Sequence, residues 1–269
     1  MAMEHVLYES KDGIAAITLN RPDARNAQNK QMLDELDACW TEAAEDEDVR
    51  VIVLKANGPH FSSGHDINLK PGEKPPADFE NKGLEAIFHY ERVRFLGYSR
   101  KWRDVPKPSI AGVQGACIAA GMMLCWPCDL IVAAENAFFS DPVLRMGIGG
   151  VEYHGHTWEF GARKAKELLF TAGRFDAHEA HRLGMVNRVV PTEKLEEETF
   201  ALARQIAEMH PFALAQAKRM VNSTLDIMGQ YAALQTAFDI HTTGHGNALS
   251  VSGTPMLMDL EGMKKTQKG

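Results

Sequence analysis

Residues Lys107–Glu135, KPSIAGVQGACIAAGMMLCWPCDLIVAAE, decide how the rest of the chain is read. Pro108 and an apolar run lead into Gly115, the pattern of a buried strand that ends in a tight turn. Small residues follow (Ala116, Ala119, Ala120, Gly121), then Met122, Met123 and Leu124, which suit a buried helix. Past Pro127, Asp129 to Ala134 forms a second apolar strand. A helix that begins beside small residues leaves its first N–H groups unpaired and open to close approach. Such groups hold negative charge as it develops. The stretch is apolar enough to suggest a membrane span, but Gln114, Asp129, Pro127 and three glycines interrupt it and no basic flank orients it. A buried core is the better reading. Cys125-Trp-Pro-Cys128 has the spacing of a redox pair, yet it closes a helix instead of opening one and has no second pair to complete a zinc site. Buried, inert thiols are expected.

Working outward, 269 residues suffice for one large domain or a domain with an appendage. Hydrophobic content of 45% and charged content of 24% are ordinary for a soluble globular chain. A net charge of -7 argues against a general nucleic-acid binder. Four cysteines, and a start (MAMEHVLYES) without the basic and apolar segments of a secretory signal, lead to an expectation of a cytosolic protein.

Before the central stretch, His5–Ser10 and Gly13–Asn20 read as a strand pair, Lys30–Ala44 as an amphipathic helix and Val49–Ala56 as a buried parallel-type strand. Strand, helix and strand in this order imply a right-handed crossover. Asn26 to Asn29 reads as a loop with a helix start. Asn57 to Ile67 follows the C-terminal end of a strand, where α/β folds place ligands. Lys70–Asp78 reads as a surface loop and Phe79–Trp102 as a mixed helix. After the central stretch, Phe138–Pro142 reads as a turn and Gly147–Gly155 as a glycine-rich loop. Trp158–Ala172 and Ala177–Leu183 read as helices and Met185–Val190 as a short strand. Beyond Pro191 nearly everything is helical, with one helix expected over Phe212–Ile240. The expected organisation is an α/β core over 1–190 and a helical region over 191–269.

Several of these segments, in this order, resemble the crotonase (enoyl-CoA hydratase/isomerase) superfamily. They are Arg21-Pro-Asp-Ala-Arg-Asn-Ala, Phe61-Ser-Ser-Gly-His-Asp-Ile, Lys107 to Gly115, and Cys128-Asp-Leu-Ile-Val-Ala. The likeness continues through Leu168-Leu-Phe-Thr-Ala-Gly-Arg-Phe and Ala177 to Pro191. It covers nearly the whole chain. It implies an α/β fold, a spiral of ββα units with a C-terminal helical trimerisation region, assembled as a homotrimer or a dimer of trimers. It also implies a coenzyme A thioester as substrate, no cofactor and no metal, and no nucleic-acid or membrane partner. The shared chemistry is an enolate held by two backbone N–H groups. The matching positions are His65 and Ala120, with Ala119 or Gly121 as alternatives for the second. His65, Asp66, Ile67 and Asn68 would line the coenzyme A path with Ser63, and Arg25 and Ala27 would lie toward the nucleotide.

The chain departs from the hydratases of that superfamily at both of their catalytic glutamates. Met123 stands at the first position and Val143 at the second, and neither moves a proton. Glu152, in the loop Gly149 to His156, is the first candidate acid-base group, and an apolar pocket would raise its pKa. An equal alternative makes it a loop carboxylate paired with a nearby Arg or His. Asp141 is the second candidate, with capping of the turn at Pro142 as its alternative. Glu152, His154 and His156 alternate and would share one face of an extended segment, a weaker pointer to a metal-dependent hydrolase. Lys264 and Lys265 could reach a phosphate. Three functions follow: an enolate-forming enzyme (hydration or double-bond isomerisation, or CoA-ester hydrolysis or C–C cleavage), a non-catalytic acyl-CoA binder, and the metal hydrolase.

Overall fold

The computed structural model describes residues 3–67 and 75–258. Among them the strands are β1 (Val6–Lys11), β2 (Ile14–Leu19), β3 (Val51–Ala56), β4 (Ser109–Val113), β5 (Ala116–Ile118), β6 (Leu130–Ala134), β7 (Phe138–Ser140), β8 (Arg174–Asp176) and β9 (Arg188–Val190). The helices are α1 (Lys30–Glu45), α2 (Phe79–Lys82), α3 (Leu84–Glu91), α4 (Tyr98–Arg103), the single turn α5 (Met122–Cys125), α6 (His156–Thr171), α7 (Ala177–Leu183), α8 (Leu195–Ala207), α9 (Pro211–Ile227) and α10 (Gln230–Ser252).

β1 and β2 form an antiparallel hairpin, and β3, β4, β6 and β9 extend it in parallel in the order β1-β2-β3-β4-β6-β9. β4 is buried along its whole length, which is why its sequence is an unbroken run of small and apolar residues with no alternation. One face of this sheet packs on α1 through Met32, Leu33, Leu36 and Trp40, and Trp40 stacks on Trp102 of α4 at 5.9 Å. The other face carries Val51, Val53, Ile110 and Val132, covered by Leu202 and Ala203 of α8. Asn29 starts α1 by accepting a hydrogen bond from the Met32 N–H at 2.9 Å. Beside the large sheet, β5, β7 and β8 make a second, three-stranded one.

Glu35 of α1 ties down the start of the chain. Its Oε2 accepts from the N–H groups of Glu4 (3.2 Å), His5 (2.7 Å) and Val6 (2.9 Å). Burial pushes its carboxyl up, but the Gln31 amide and these three donors outweigh it and leave the pKa below the ordinary 4.5. Charge-assisted bonds of this kind stabilise by roughly 1.5–3 kcal/mol each, so Glu35→Ala should cost about 2–4 kcal/mol in urea unfolding. A depressed carboxylate stabilises above its unfolded pKa and loses that contribution as pH falls through the folded one. The gap between wild type and variant should therefore be widest above pH 4.5 and narrow in acid.

Three expectations need correction. Phe138–Ser140 is a strand and not a turn, because it pairs with both β5 and β8; three residues are too few to show a periodicity. The helix expected over Phe212–Ile240 is two, broken at Gly229, whose φ of 102° no helix continues through. The expected helix over Phe79–Trp102 is divided as well, and its segment Arg92–Gly97 forms a π-turn, with Tyr98 N–H bonded back to Val93 O. Beyond residue 190, α9 has no buried residue, and Met220, Val221 and Ile227 are exposed on it.

Candidate active site

Three segments far apart in sequence are zipped together at one end of the sheets. Gln28 N–H bonds Gly64 O at 2.8 Å and Asp66 N–H bonds Gln28 O at 3.0 Å. On the other side Ser62 N–H bonds Ala116 O at 3.1 Å, and Ile118 N–H bonds Ser62 O at 3.0 Å. The segment Ser62–Asp66 is thus threaded between Gln28 and the end of β5. The approach is so close that only glycines fit. Gly64 has φ 92°, and a Cβ there would lie 2.9 Å from Ile118 O and 3.3 Å from Ala120 N. A Cβ on Gly121 would come within 2.5 Å of Ser62 O. Gln28 is buried and donates its amide to Ser62 Oγ at 3.1 Å and to Ala120 O at 2.9 Å, bracing both loops at once. The sequence reading passed Gln28 over as loop; its role is created by a partner 92 residues away, for which no local pattern exists.

The short helical turn Ala119–Gly121 opens directly at this junction, with Ala119 at φ 48°, a conformation costly for a residue with a Cβ. That bend precedes Ala120. Among the described residues neither the His65 N–H nor the Ala120 N–H donates a hydrogen bond. Two backbone N–H groups without an acceptor thus flank the Gly64 junction, His65 next in the chain and Ala120 with its N 3.3 Å from the position of an added Gly64 Cβ.

The charged part of the site is built around Glu152, which is 4% exposed. Its Oε2 lies 3.4 Å from His65 Nε2 and its Oε1 3.4 Å from His241 Nε2 on α10. The His65 ring stacks on Phe95 at 3.6 Å, which fixes its plane. Burial pushes the Glu152 carboxyl up, yet His65 and His241 outweigh burial and hold it down at about 2. This corrects the expectation of a raised pKa: the pocket is not apolar but lined by imidazoles. Burial likewise works against a charge on His241, but Glu152 and Glu91 raise it to about 9. Glu91, at the end of α3, also lies 3.3 Å from His245 Nε2, so the group extends through Glu91, His241 and His245. None of these three was singled out from sequence. His241 and His245 are one turn apart on α10, and that spacing was the one available signal.

The remaining expected residues fall as follows. Asp141 is buried; its Oδ1 accepts from Val143 N–H (3.3 Å), its Oδ2 from Val151 N–H (3.1 Å), and His156 Nε2 stands 3.0 Å away. It thus holds the turn at Pro142 and the start of the glycine-rich loop. His154 bonds Thr157 at 2.9 Å and His156 faces Asp141, so neither joins Glu152: α6 begins at His156, and the extended face expected for the three does not form. Met123 is core at 2% exposure, and Val143 is half-buried against the core. Arg25 is exposed and uses its carbonyl to hold Ser63 N–H at 3.0 Å. Ala27 is buried, and its carbonyl accepts from Arg21, which also pairs with Asp66 at 3.0 Å. Ile67 is half-buried; Asn68, Lys264 and Lys265 lie outside the described residues. The four cysteines are free and buried, and burial pushes the Cys125 and Cys128 thiols well up.

Residues 9–252 match the family model of enoyl-CoA hydratase/isomerase. The chain belongs to that family. A solved structure of a probable enoyl-CoA hydratase from Mycobacterium smegmatis is 61% identical and superposes with a TM-score of 0.89, over 96% of this chain and 100% of that one. A probable enoyl-CoA hydratase from Mycobacterium thermoresistibile is 63% identical, with a TM-score of 0.89, over 94% and 99%. The Mycobacterium tuberculosis protein EchA13, a proposed enoyl-CoA hydratase, is 43% identical over 93% of this chain and 83% of its own length. The α/β fold with its C-terminal helices is therefore the crotonase fold, in a family that acts on acyl-CoA substrates. Among the described residues no helix is long and apolar enough to cross a membrane.

Proposed function

We propose that the chain is an acyl-CoA-metabolising enzyme that passes through a thioester enolate. The observation that carries this reading is that the loops bearing His65 and Ala120 close on one another at Gly64 with neither N–H given to an acceptor among the described residues. Two donors aimed at one oxygen hold an enolate oxyanion more tightly than the carbonyl it forms from, and each is worth on the order of 3 kcal/mol in the transition state. Arg25, Ala27, Ser63 and Asp66 to Asn68 belong to the coenzyme A path in this reading. Glu152 is the proton-transfer group. Ionised beside two histidines, it is in the form that accepts a proton from carbon, and the neighbouring imidazoles make it quick to give that proton back. With Met123 and Val143 in place of a carboxylate pair, one acid serves a proton shift between carbons, or a CoA-ester hydrolysis or C–C cleavage through the enolate, better than the two-carboxylate addition of water. The exposed apolar residues of α9 support a homotrimer, alone or paired into a hexamer.

A second reading, an acyl-CoA binder without turnover, is favoured by the strongly depressed Glu152 pKa, which weakens it as a base. One experiment separates the two. Purified protein is mixed with trans-2-enoyl-CoA and 3-enoyl-CoA thioesters of several chain lengths while the conjugated enoyl absorbance is followed, with acyl-CoA binding measured by calorimetry. Absorbance should rise with the 3-enoyl thioesters as the double bond moves into conjugation. A fall with the 2-enoyl set would mean hydration. Tight binding with no absorbance change in any member would establish the binder, and neither binding nor turnover would sink both readings.

A further inference from the structure

Glu91, His241 and His245 converge from α3 and α10 on one buried point. The two histidines sit four residues apart, so both rings leave the same face of α10. Their Nε2 atoms are 3.1 Å apart. Glu91 Oε2 lies 3.5 Å from His241 Nε2, and its Oε1 lies 3.3 Å from His245 Nε2. All three residues are under a tenth exposed.

The proton positions follow from the other ring nitrogens. His241 Nδ1 is 2.6 Å from Gly150 O, and His245 Nδ1 is 2.7 Å from Pro255 O. A carbonyl only accepts, so each Nδ1 carries a hydrogen and donates it. Both Nε2 atoms are thereby turned toward one another, 3.1 Å apart, and toward Glu91, so the three side chains close on one point that takes positive charge, as protons on the rings or as a metal ion in their place. Glu91 Oε2 is a buried carboxylate oxygen with no hydrogen bond among the described residues. A single metal ion would answer all three atoms. A tetrahedral ion with bonds of about 2.0–2.1 Å spaces its ligands about 3.3–3.4 Å apart; here the two Nε2 atoms are 3.1 Å apart, and one donor atom from each of the three side chains lies within 4.8 Å of the others. Backbone carbonyls holding both Nδ1–H groups are the outer partners that metal-bound histidines use.

The geometry points to a binding site for one divalent transition metal of the zinc class, held by Glu91, His241 and His245. Two imidazoles and one carboxylate suit Zn2+ or Co2+, and magnesium and calcium, which take oxygen ligands, poorly. Three protein ligands leave a further position open. Glu152 Oε1, 3.4 Å from His241 Nε2, adjoins this group, so the ion would sit next to the proposed proton-transfer carboxylate. The site departs from the absence of metal that the sequence resemblance implies, and it involves neither His154 nor His156.

The test uses untagged full-length protein dialysed against a chelator. Zn2+ is titrated by calorimetry, Co2+ is added for its visible spectrum, and a crystal soaked in Zn2+ is read for anomalous scattering. The expected result is one Zn2+ per chain with a Kd below about 1 µM, an intense tetrahedral-type Co2+ band, and an anomalous peak between the three side chains. His245→Gln and Glu91→Gln should each weaken Zn2+ by about 100-fold or more. No saturable binding to the wild type, a peak elsewhere, or unchanged affinity in both variants would overturn the site; in the first case a shared proton holds the histidine pair. If a variant fails to fold, the Co2+ spectrum and anomalous map of the wild type decide alone. None of these readouts measures turnover, so an inactive protein in the enoyl-CoA assay would leave the inference standing.

Discussion

Gly64→Ala should lower kcat on a responsive CoA thioester by about 100-fold or more, the loss that follows removal of one oxyanion donor. The new Cβ meets Ile118 O at 2.9 Å and Ala120 N at 3.3 Å, and both are backbone atoms that cannot swing aside. Relief comes only if Ser62–Asp66 retreats from the turn at Ala120, which separates the two N–H groups. Alanine at φ 92° adds a strain of about 1–2 kcal/mol that is unrelated to catalysis. Gly184→Ala supplies the control: its φ is 94°, with nothing within 4 Å of the added atom, so it carries the strain without the clash. Gly184→Ala should lose the stability that the strain alone costs and Gly64→Ala more in thermal unfolding, while only Gly64→Ala loses rate. Equal kcat in both would mean that the junction at Gly64 is not where the reaction is held.

Glu152→Gln should lower turnover by about 10²–10⁴-fold with little change in KM, because the amide keeps the shape but cannot accept the proton. The informative readout is exchange of the thioester α-hydrogen with heavy water, followed by mass spectrometry. Wild type should wash deuterium into the α position even when net conversion is slow, and the variant should not. The substitution also removes one of two carboxylates facing His241, leaving Glu91 to support it. Stability should fall, by less than the roughly 3–5 kcal/mol seen when a buried ion pair loses its sole partner. Undiminished exchange in Glu152→Gln would return Glu152 to the role of a paired loop carboxylate.

What the sequence disclosed, and what it hid, follows from the distance over which each feature is made. The β1–β2 hairpin, α1, β3, β4 and β6 arise from patterns within a dozen residues, and they stand within a few residues of where periodicity puts them. His65 and Ala120 lie in adjoining loops that the family likeness points to, and the structure brings those loops into contact. The imidazole environment of Glu152 was hidden, since it depends on His241, 89 positions along the chain, and on a ring plane set by Phe95. The same holds for Gln28 and Glu91, ordinary polar residues in their own segments. The short strands β7 and β8 were hidden because pairing, not composition, makes them strands.

The π-turn at Arg92–Gly97 changes what a single length of helix can do. One residue more than an α-helical turn needs is taken up there, and it rotates everything beyond it by about 100°. The segment before the turn presents Glu91 to the histidines of α10; the segment after it presents Trp102 to Trp40 in the core. A regular helix would have to choose one phase, so that seating the tryptophan would swing the carboxylate away. The extra residue works as a phase-shifter, letting the demands of packing and those of charge be met independently on the same rod.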